Sequence, residues 1–175
     1  MEMKKKNNIV LIGFMGAGKG TVARALYTEL GLFPIDCDDM IESAANKKIK
    51  DIFADDGEAK FREMEADLAK FLFDNVDNSV ISTGGGFYKT PNLNKLGTII
   101  YLKAEFDYII DRIKSSPNAE KKFAKRPLLA NLDEARKLHN ERDEKYAKKA
   151  DFIVDVANKK PKEIAKEIKK LIKGK

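Results

Sequence analysis

The chain has few of the residues that stabilise secreted proteins or bind metal ions through sulfur and nitrogen. Its one cysteine, Cys37, cannot form an internal disulfide, so we expect a reducing compartment, the cytoplasm. Its one histidine, His139, stands among charged residues of a predicted helix, and we predict a surface side chain rather than a catalyst or ligand. No apolar run approaches the roughly 20 residues of a membrane span, and residues 1–6 lack the apolar segment of a secretory signal. These absences favour a soluble domain without a membrane partner.

The excess of positive charge is confined to the C-terminal end. The chain has 34 lysines and arginines against 28 aspartates and glutamates, and residues 159–175 hold eight lysines and two glutamates. Residues 1–158 therefore carry 26 side chains of each sign. A nucleic-acid binder would carry a basic stripe along a groove with aromatic side chains beside it, whereas this tail has the spacing of an amphipathic helix with a solvated lysine face. We expect no nucleic-acid partner.

Residues 13–21, with the sequence GFMGAGKGT, give the strongest local signal. They follow the apolar run at residues 9–12 and precede a predicted helix from about Lys19 to Leu30. Gly13, Gly18 and Lys19 fit the phosphate-loop pattern G-x-x-x-x-G-K-[ST], in which backbone N–H groups and a lysine surround the phosphates of a nucleotide. The residues predicted to bind those phosphates are Gly16, Ala17, Gly18, Lys19, Gly20 and Thr21.

The last position of the pattern is not matched. A hydroxyl normally follows the lysine and ligates Mg²⁺, but here Gly20 follows it and the hydroxyl comes one residue later, at Thr21. Two explanations stay open: Thr21 contacts phosphates while water and carboxylates hold the metal, or the metal is bound more loosely.

Strand and helix patterns alternate along the 175 residues, which predicts one α/β domain. The predicted strands are residues 7–12, 32–35, 79–83, 98–102 and 152–155. The main predicted helices are residues 19–30, 40–46, 50–54, 57–74, 105–113 and 132–149, and one after Pro161. Functional side chains gather at the C-terminal ends of parallel strands, so Asp36 and Asp38, after the second strand, are predicted to lie beside the phosphate loop.

Two further features have a structural and a functional interpretation. Glu58, Arg62 and Glu65 share one helix face, either as a surface ladder of ion pairs or as a binding face. Gly84, Gly85 and Gly86 end the third strand, either as a flexible turn or as bare backbone against which a substrate lies. Residues 114–131 break the pattern with a lysine- and arginine-rich stretch that predicts a mobile lid closing over phosphates.

Taken together, these motifs resemble the shikimate kinases. The resemblance rests on GFMGAGKGT, the pair Asp36 and Asp38, the run IFADDGEAKFREME at residues 52–65, TGGG at 83–86, RPLL at 126–129, and Arg142. It implies a nucleoside-monophosphate-kinase-like three-layer α/β/α sandwich around a five-stranded parallel sheet of order 2-3-1-4-5. It also implies one kinase domain, with a substrate-binding region at about 36–75 and a lid at about 115–130. The implied reaction transfers a phosphoryl group from ATP, with Mg²⁺, to the 3-hydroxyl of shikimate in aromatic amino-acid biosynthesis.

The resemblance also implies a role for each site residue. Arg62 and Arg142 would grip the substrate carboxylate, while Asp38 and the backbone at Gly84, Gly85 and Gly86 would contact its hydroxyls. Lys19, Asp38 and Arg126 would be catalytic, with Arg126 also touching ATP. Asp36 would hold Mg²⁺, through water, helped by a hydroxyl at Ser82 or Thr83.

Two positions depart from the family pattern. One is Gly20; the GKGT form is what adenylate kinases show. The other is the lid arginine beside adenine, seven residues before Arg126, which is Ala119 here; Lys121, Lys122 or the chain near Asn158 could replace it. The alternatives are an adenylate- or gluconate-kinase-like enzyme, or a non-catalytic nucleotide-binding module. We expect a monomer.

Overall fold

The computed structural model describes residues 5–174 and arranges five strands in one parallel sheet. The strands are β1 (Asn8–Ile12), β2 (Phe33–Asp36), β3 (Ser79–Ser82), β4 (Gly97–Lys103) and β5 (Phe152–Asp155). Their order is β2-β3-β1-β4-β5, and each neighbouring pair is parallel. The predicted order is therefore confirmed.

Helices connect the strands and cover the sheet. They are α1 (Lys19–Leu30), α2 (Cys37–Ala45), α3 (Ile49–Asp55), α4 (Gly57–Asn75), α5 (Phe106–Lys114), α6 (Ala119–Ala124), α7 (Leu132–Lys149) and α8 (Pro161–Lys173). The predicted α/β/α sandwich is confirmed. The basic C-terminal helix buries Ile164, Ala165 and Ile168 and packs along α1, leaving most of its lysines in water.

The centre of the sheet fixes where the site forms. All five residues of β1 are buried, as expected for a central strand covered on both faces. In the sheet register, Leu11 lies beside Ser82, and Ser82 lies beside Asp36. The chain leaves β1, β2 and β3 at the same edge, so the phosphate loop, Asp38 and the glycine run are brought together there.

The second strand passes into its helix earlier than predicted. We expected this helix to begin at Met40, but α2 begins at Cys37. Asp36 is the reason, because its Oδ1 accepts hydrogen bonds from Asp38 N at 2.9 Å and Asp39 N at 3.2 Å. A side-chain cap of this kind satisfies N–H groups at the helix start.

The prediction that His139 is a surface side chain is wrong. His139 is 5% exposed, and its Nε2 lies 2.8 Å from the carbonyl oxygen of Ala104, to which it donates. Its ring packs edge-on against Phe14 of the phosphate loop, with centroids 5.0 Å apart. The buried residues of α7 are Ala135, His139, Arg142 and Tyr146, which recur at helical spacing, so His139 belongs to the inner face of a mostly charged helix.

The segment predicted to be a lid contains secondary structure. It includes α6 and a 3-10 helix at Pro127–Ala130, although composition alone indicated a break in pattern. Its mobility stays a prediction. Within residues 5–174, no helix is long and apolar enough to cross a membrane.

Candidate active site

Residues 13–21 form the phosphate loop between β1 and α1. Gly16 and Gly18 have φ angles of 80° and 98°, in the left-handed region that favours glycine. Gly18 precedes the first turn of α1 and offers no side-chain cap. The N–H groups of that turn and the positive end of the helix dipole therefore face the position expected for an anion.

Lys19 folds back across the loop from the first position of α1. Its Nζ donates to the carbonyl oxygens of Gly13 at 2.7 Å and Phe14 at 3.0 Å. Burial lowers the pKa of Lys19 to about 8, and the charges of Asp38 and Asp36 oppose that shift. The side chain is thus a desolvated cation beside the phosphate-binding backbone.

Asp38 lies on the first turn of α2, facing the glycine loop, which we define as residues 84–86. A Cβ atom added to Gly84 would lie 2.7 Å from Asp38 Oδ1. Burial, and next the charge of Asp36, raise the pKa of Asp38 to about 6, while Lys19 acts in the opposite direction. A carboxylate with this pKa can accept a proton near neutral pH.

The glycine loop has no room for larger residues, because charged side chains from elsewhere in the chain occupy the space that a Cβ would need. A Cβ on Gly85 would lie 3.0 Å from Arg142 Nη1, and one on Gly86 would lie 2.7 Å from Arg62 Cζ. Gly84, Gly85 and Gly86 therefore each face a different ionised group. Two guanidinium groups and a carboxylate around backbone without side chains form a pocket suited to a small anion that carries hydroxyls.

Arg62 is held by two glutamates of its own helix, α4. Its Nη1 donates to Glu65 Oε2 at 2.6 Å, and its Nη2 donates to Glu58 Oε1 at 3.0 Å. The predicted ladder is present, but its members differ, because the Glu65 side chain is 2% exposed and that of Glu58 is 63% exposed. Burial raises the pKa of Glu65, against the pull of Arg62. Glu65 Oε1 is buried without a hydrogen-bond partner in residues 5–174.

Arg142 reaches the pocket from α7. It is 6% exposed, and its Nε is buried without a hydrogen-bond partner among the described residues. One turn further, Tyr146 donates from its hydroxyl to the carbonyl oxygen of Gly85 at 2.6 Å. Burial raises the pKa of Tyr146 to about 12, and Arg142 opposes this shift. Two of the polar atoms facing the pocket, Arg142 Nε and Glu65 Oε1, are thus left for a ligand or water to satisfy.

Two more arginines approach the phosphate loop. Arg126 is partly buried in the lid segment, donates from Nη1 to Lys122 O at 2.7 Å, and has its pKa lowered by burial and by Arg112. Arg112 of α5 donates from Nη2 to Gly16 O and lies 5.7 Å from the ring centroid of Tyr108. Arg112 was not predicted as a site residue, although it is the arginine of the predicted helix that precedes the lid.

The residues present fit Mg²⁺ only through water. Asp36 uses Oδ1 to cap α2, and its Oδ2 lies 3.8 Å from where a Cβ of Gly20 would be. Within residues 5–174 there is no group of three or more histidine, cysteine, aspartate or glutamate side chains that could hold a metal ion. Mg²⁺ in nucleotide sites keeps several waters and takes one or two carboxylates plus phosphates, so a single oxygen of Asp36 is compatible with it.

The predicted site residues thus fall into two adjoining groups. One surrounds the phosphate loop with Lys19, Gly20, Asp36 and Arg126, and the other surrounds the glycine loop with Asp38, Arg62 and Arg142. Their roles stay predictions. Glu65 and Tyr146 were not among the predicted site residues, but Glu65 is the buried partner of Arg62 and Tyr146 donates to the carbonyl oxygen of Gly85.

The fold and the site define the class. A phosphate loop at the edge of a five-stranded parallel sheet, with a carboxylate and arginines beside it, is typical of P-loop kinases of the nucleoside-monophosphate-kinase type.

A sequence profile of the shikimate kinases matches residues 15–173. The shikimate kinase of Helicobacter hepaticus is 39% identical over 148 residues, 85% of this chain and 86% of that one. That of Persephonella marina is 38% identical over 166 residues, 92% and 96% of the two chains. The chain therefore belongs to the shikimate kinase family, ATP-dependent kinases of aromatic amino-acid biosynthesis.

Solved structures agree. Shikimate kinase from Acinetobacter baumannii in complex with shikimate superposes with a TM-score of 0.82 at 29% identity, covering 98% of this chain and 96% of that one. Deoxyadenosine kinase from M. mycoides, with bound dATP, gives a TM-score of 0.60 at 18% identity over 95% and 99%. The second likeness shows the fold alone.

Proposed function

We propose that this chain transfers the γ-phosphoryl group of ATP to the 3-hydroxyl of shikimate, and that the residues around its two loops perform the roles predicted from the sequence. One observation carries the proposal: Asp38, Arg142 and Arg62 occupy the space in front of Gly84, Gly85 and Gly86, respectively. That arrangement offers two cations to a carboxylate and one carboxylate to hydroxyls, at the edge where the phosphate loop ends.

The acceptor carboxylate lies between Arg62 and Arg142. Planar guanidinium groups donate pairs of parallel hydrogen bonds to a carboxylate, which fixes its orientation as well as its position. Glu65 holds Arg62 from the buried side through the 2.6 Å contact. The acceptor hydroxyls then face Asp38 and the N–H groups of Gly84, Gly85 and Gly86.

The nucleotide phosphates lie along the backbone from Gly16 to Thr21, with Lys19 turning from the loop carbonyls to the outer phosphates. Asp36, whose Oδ2 lies 3.8 Å from the position of a Cβ on Gly20, would hold Mg²⁺ through water. The metal neutralises charge on the phosphates when it is bound. We place adenine near Arg112, which donates to Gly16 O of the phosphate loop. Arg112 lies 5.7 Å from the ring centroid of Tyr108, whose hydroxyl accepts from Asn158 N at 3.1 Å.

The chemical step forms a bond from the 3-hydroxyl oxygen to the γ-phosphorus and breaks the bond from that phosphorus to the β–γ bridging oxygen, which leaves with ADP. Asp38 orients the hydroxyl and takes its proton late. Lys19 and Arg126 stabilise the negative charge on the transferred group. Positioning and charge neutralisation supply most of the acceleration.

Two segments next to the site bind the acceptor and cover the nucleotide. Residues 36–75 form the acceptor-binding region, and residues 115–130 form a lid that closes over ATP. The enzyme is a cytoplasmic monomer without a nucleic-acid partner. The basic tail does not argue against this, because α8 packs on α1 while most of its lysines face water.

The test is ADP release with ATP and Mg²⁺, measured with shikimate, AMP or gluconate as acceptor. We expect strong stimulation by shikimate alone. Equal turnover with AMP would contradict the proposal in favour of an adenylate-kinase-like enzyme, and ADP release unaffected by any acceptor would contradict it in favour of a nucleotide-binding module.

A further inference from the structure

Tyr146 is buried under the glycine loop in a cluster of three tyrosines. It is 1% exposed, and its ring centroid lies 5.1 Å from that of Tyr88 and 5.2 Å from that of Tyr101. This packing restricts the ring and therefore fixes where the hydroxyl lies.

The Tyr146 hydroxyl supports the middle of the glycine loop from behind. Within the loop, Phe87 N–H donates to Gly84 O and Lys89 N–H donates to Gly86 O, each at 3.1 Å. The carbonyl oxygen of Gly85 instead accepts from the Tyr146 hydroxyl at 2.6 Å. A glycine run has little conformational preference of its own, so this bond restrains a flexible segment.

The peptide bond between Gly85 and Gly86 links the direction of the Gly85 carbonyl to that of the Gly86 N–H. Within residues 5–174 no peptide bond is cis, so the Gly85 carbonyl and the Gly86 N–H point in opposite directions along one plane. With the carbonyl held by Tyr146, the Gly86 N–H points away from α7. That N–H donates to no other group in the described residues, and Gly86 is the glycine that Arg62 faces.

The same hydroxyl and Arg142 both lie close to Gly85. Tyr146 OH and Arg142 Nη1 lie 3.6 Å and 3.0 Å, respectively, from the position of a Cβ on Gly85. Because Arg142 and Tyr146 are one turn apart on α7, both contacts come from one rigid element.

We infer that Tyr146 is a positioning residue for the acceptor, whose hydroxyl aims the Gly86 N–H and holds Arg142 against the glycine loop. The inference rests on the proposed acceptor site, and Tyr146 itself would not touch the substrate. The pocket is pre-organised by the hydroxyl, so acceptor binding does not have to order the loop.

The experiment compares Tyr146→Phe with Tyr101→Phe. Both changes remove a buried hydroxyl and keep the ring, but Tyr101 donates to Asp143 at 2.5 Å, away from the glycine loop. Calorimetry gives the Kd of shikimate and of ADP for each, and thermal unfolding gives Tm. We expect Tyr146→Phe to raise the shikimate Kd roughly three- to tenfold, the loss of one neutral hydrogen bond, with the ADP Kd unchanged. Tyr101→Phe should lower Tm similarly and leave both Kd values unchanged.

A second measurement reads the loop directly. In protein labelled with ¹⁵N-glycine, the Gly86 amide resonance should shift or broaden in Tyr146→Phe and stay in place in Tyr101→Phe. An unchanged shikimate Kd in Tyr146→Phe would overturn the inference, provided that Arg142→Lys weakens shikimate binding. If Arg142→Lys also leaves that Kd unchanged, the proposed acceptor site itself is wrong, and the inference fails with it.

Discussion

Arg62 Nη1 lies 2.6 Å from Glu65 Oε2, and the Glu65 side chain at that contact is 2% exposed. The spacing of the two residues on α4 was compatible with a ladder of ion pairs at the surface or with a binding face. Burial changes its meaning, because a buried carboxylate fixes the position of the guanidinium, whose remaining hydrogen bonds go to the exposed Glu58. The buried Glu65 therefore helps to orient Arg62 in the proposed acceptor site, although burying its carboxylate costs free energy.

The first prediction tests that grip. Arg62→Lys should raise the KM of shikimate about tenfold or more and leave the KM of ATP nearly unchanged, because a lysine cannot make two parallel hydrogen bonds to a carboxylate. Steady-state kinetics with each substrate varied in turn provides the measurement.

Glu58→Gln is the matched control for Arg62→Lys. Glu58 contacts the same guanidinium, at 3.0 Å, but its side chain is 63% exposed, and exposed ion pairs contribute little. We expect both KM values to stay within twofold. An unchanged shikimate KM in Arg62→Lys would return Arg62 to the role of a surface ion-pair partner.

The second prediction concerns the pH dependence of kcat/KM. Burial and Asp36 raise the pKa of Asp38 to about 6, and burial lowers the pKa of Lys19 to about 8. The reaction needs Asp38 ionised and Lys19 protonated, so kcat/KM for shikimate should fall below pH 6 and above pH 8.

Variants test the acid and alkaline limbs of this pH profile separately. Lys19→Arg, whose charge persists at all working pH values, should flatten the alkaline limb in whatever activity remains. If the wild-type acid limb lies near pH 4 instead, Asp38 is not the group whose protonation stops the reaction.

Most strand and helix bounds could be predicted because they depend on local patterns, whereas the strand order was implied by the resemblance to the shikimate kinases. The apolar run of β1, for example, lies within a few neighbouring residues of the sequence. His139 could not be placed, since its burial depends on Phe14 and Ala104, which lie far away in the sequence. The inner face of α7 is a narrow stripe on a highly charged helix, and periodicity there is weak.

Site residues that belong to a sequence motif could be predicted. Residues whose role depends on a contact with a distant part of the chain could not. Lys19, Asp38 and Arg62 follow from motifs. Tyr146 was not predicted as a site residue, because its bond to Gly85 O joins residues 61 positions apart. Arg112 was missed because the expected arginine was sought at Ala119, whereas α5 supplies one before the lid helix α6.

The third prediction is that Asp38→Asn makes the protein more stable while abolishing activity. The pKa of Asp38 rises from 3.8 in the unfolded reference to about 6 in the folded protein. Stability is lost as the pH rises from 3.8 through 6, since the unfolded chain releases its proton first. Above pH 6 the variant should gain about 1–3 kcal/mol.

Urea unfolding at pH 7.5 and near pH 4 checks the sign. The gain of Asp38→Asn should be complete at the higher pH and mostly gone at the lower one. Asp39→Asn, at the exposed neighbouring position, should change stability by less than about 0.5 kcal/mol at both. Equal stabilisation by Asp38→Asn at the two pH values would show that ionisation of Asp38 is not its cause.

The last prediction concerns the hydroxyl missing at Gly20. Gly20→Ser restores the common form of the loop and should lower the Mg²⁺ concentration for half-maximal activity. The gain should be modest, because one neutral oxygen replaces one water in a shell of phosphates and waters. Serine fits there: Gly20 is not among the glycines with positive φ, and an added Cβ would lie 3.7 Å from Arg24 Nη1 and 3.8 Å from Asp36 Oδ2.

Gly20→Ala is the control, since it adds the same Cβ without an oxygen and, like serine, favours a helix more than glycine does. Mg²⁺ titrations at fixed ATP, with thermal unfolding in parallel, should separate Gly20→Ser from wild type and leave Gly20→Ala with the wild-type requirement. Equal shifts in both variants would mean that rigidity of the helix start, not metal ligation, sets the requirement. With no shift in either, the metal is held as well without the hydroxyl, and the Asp36 carboxylate, whose Oδ2 faces that gap, becomes its main protein anchor.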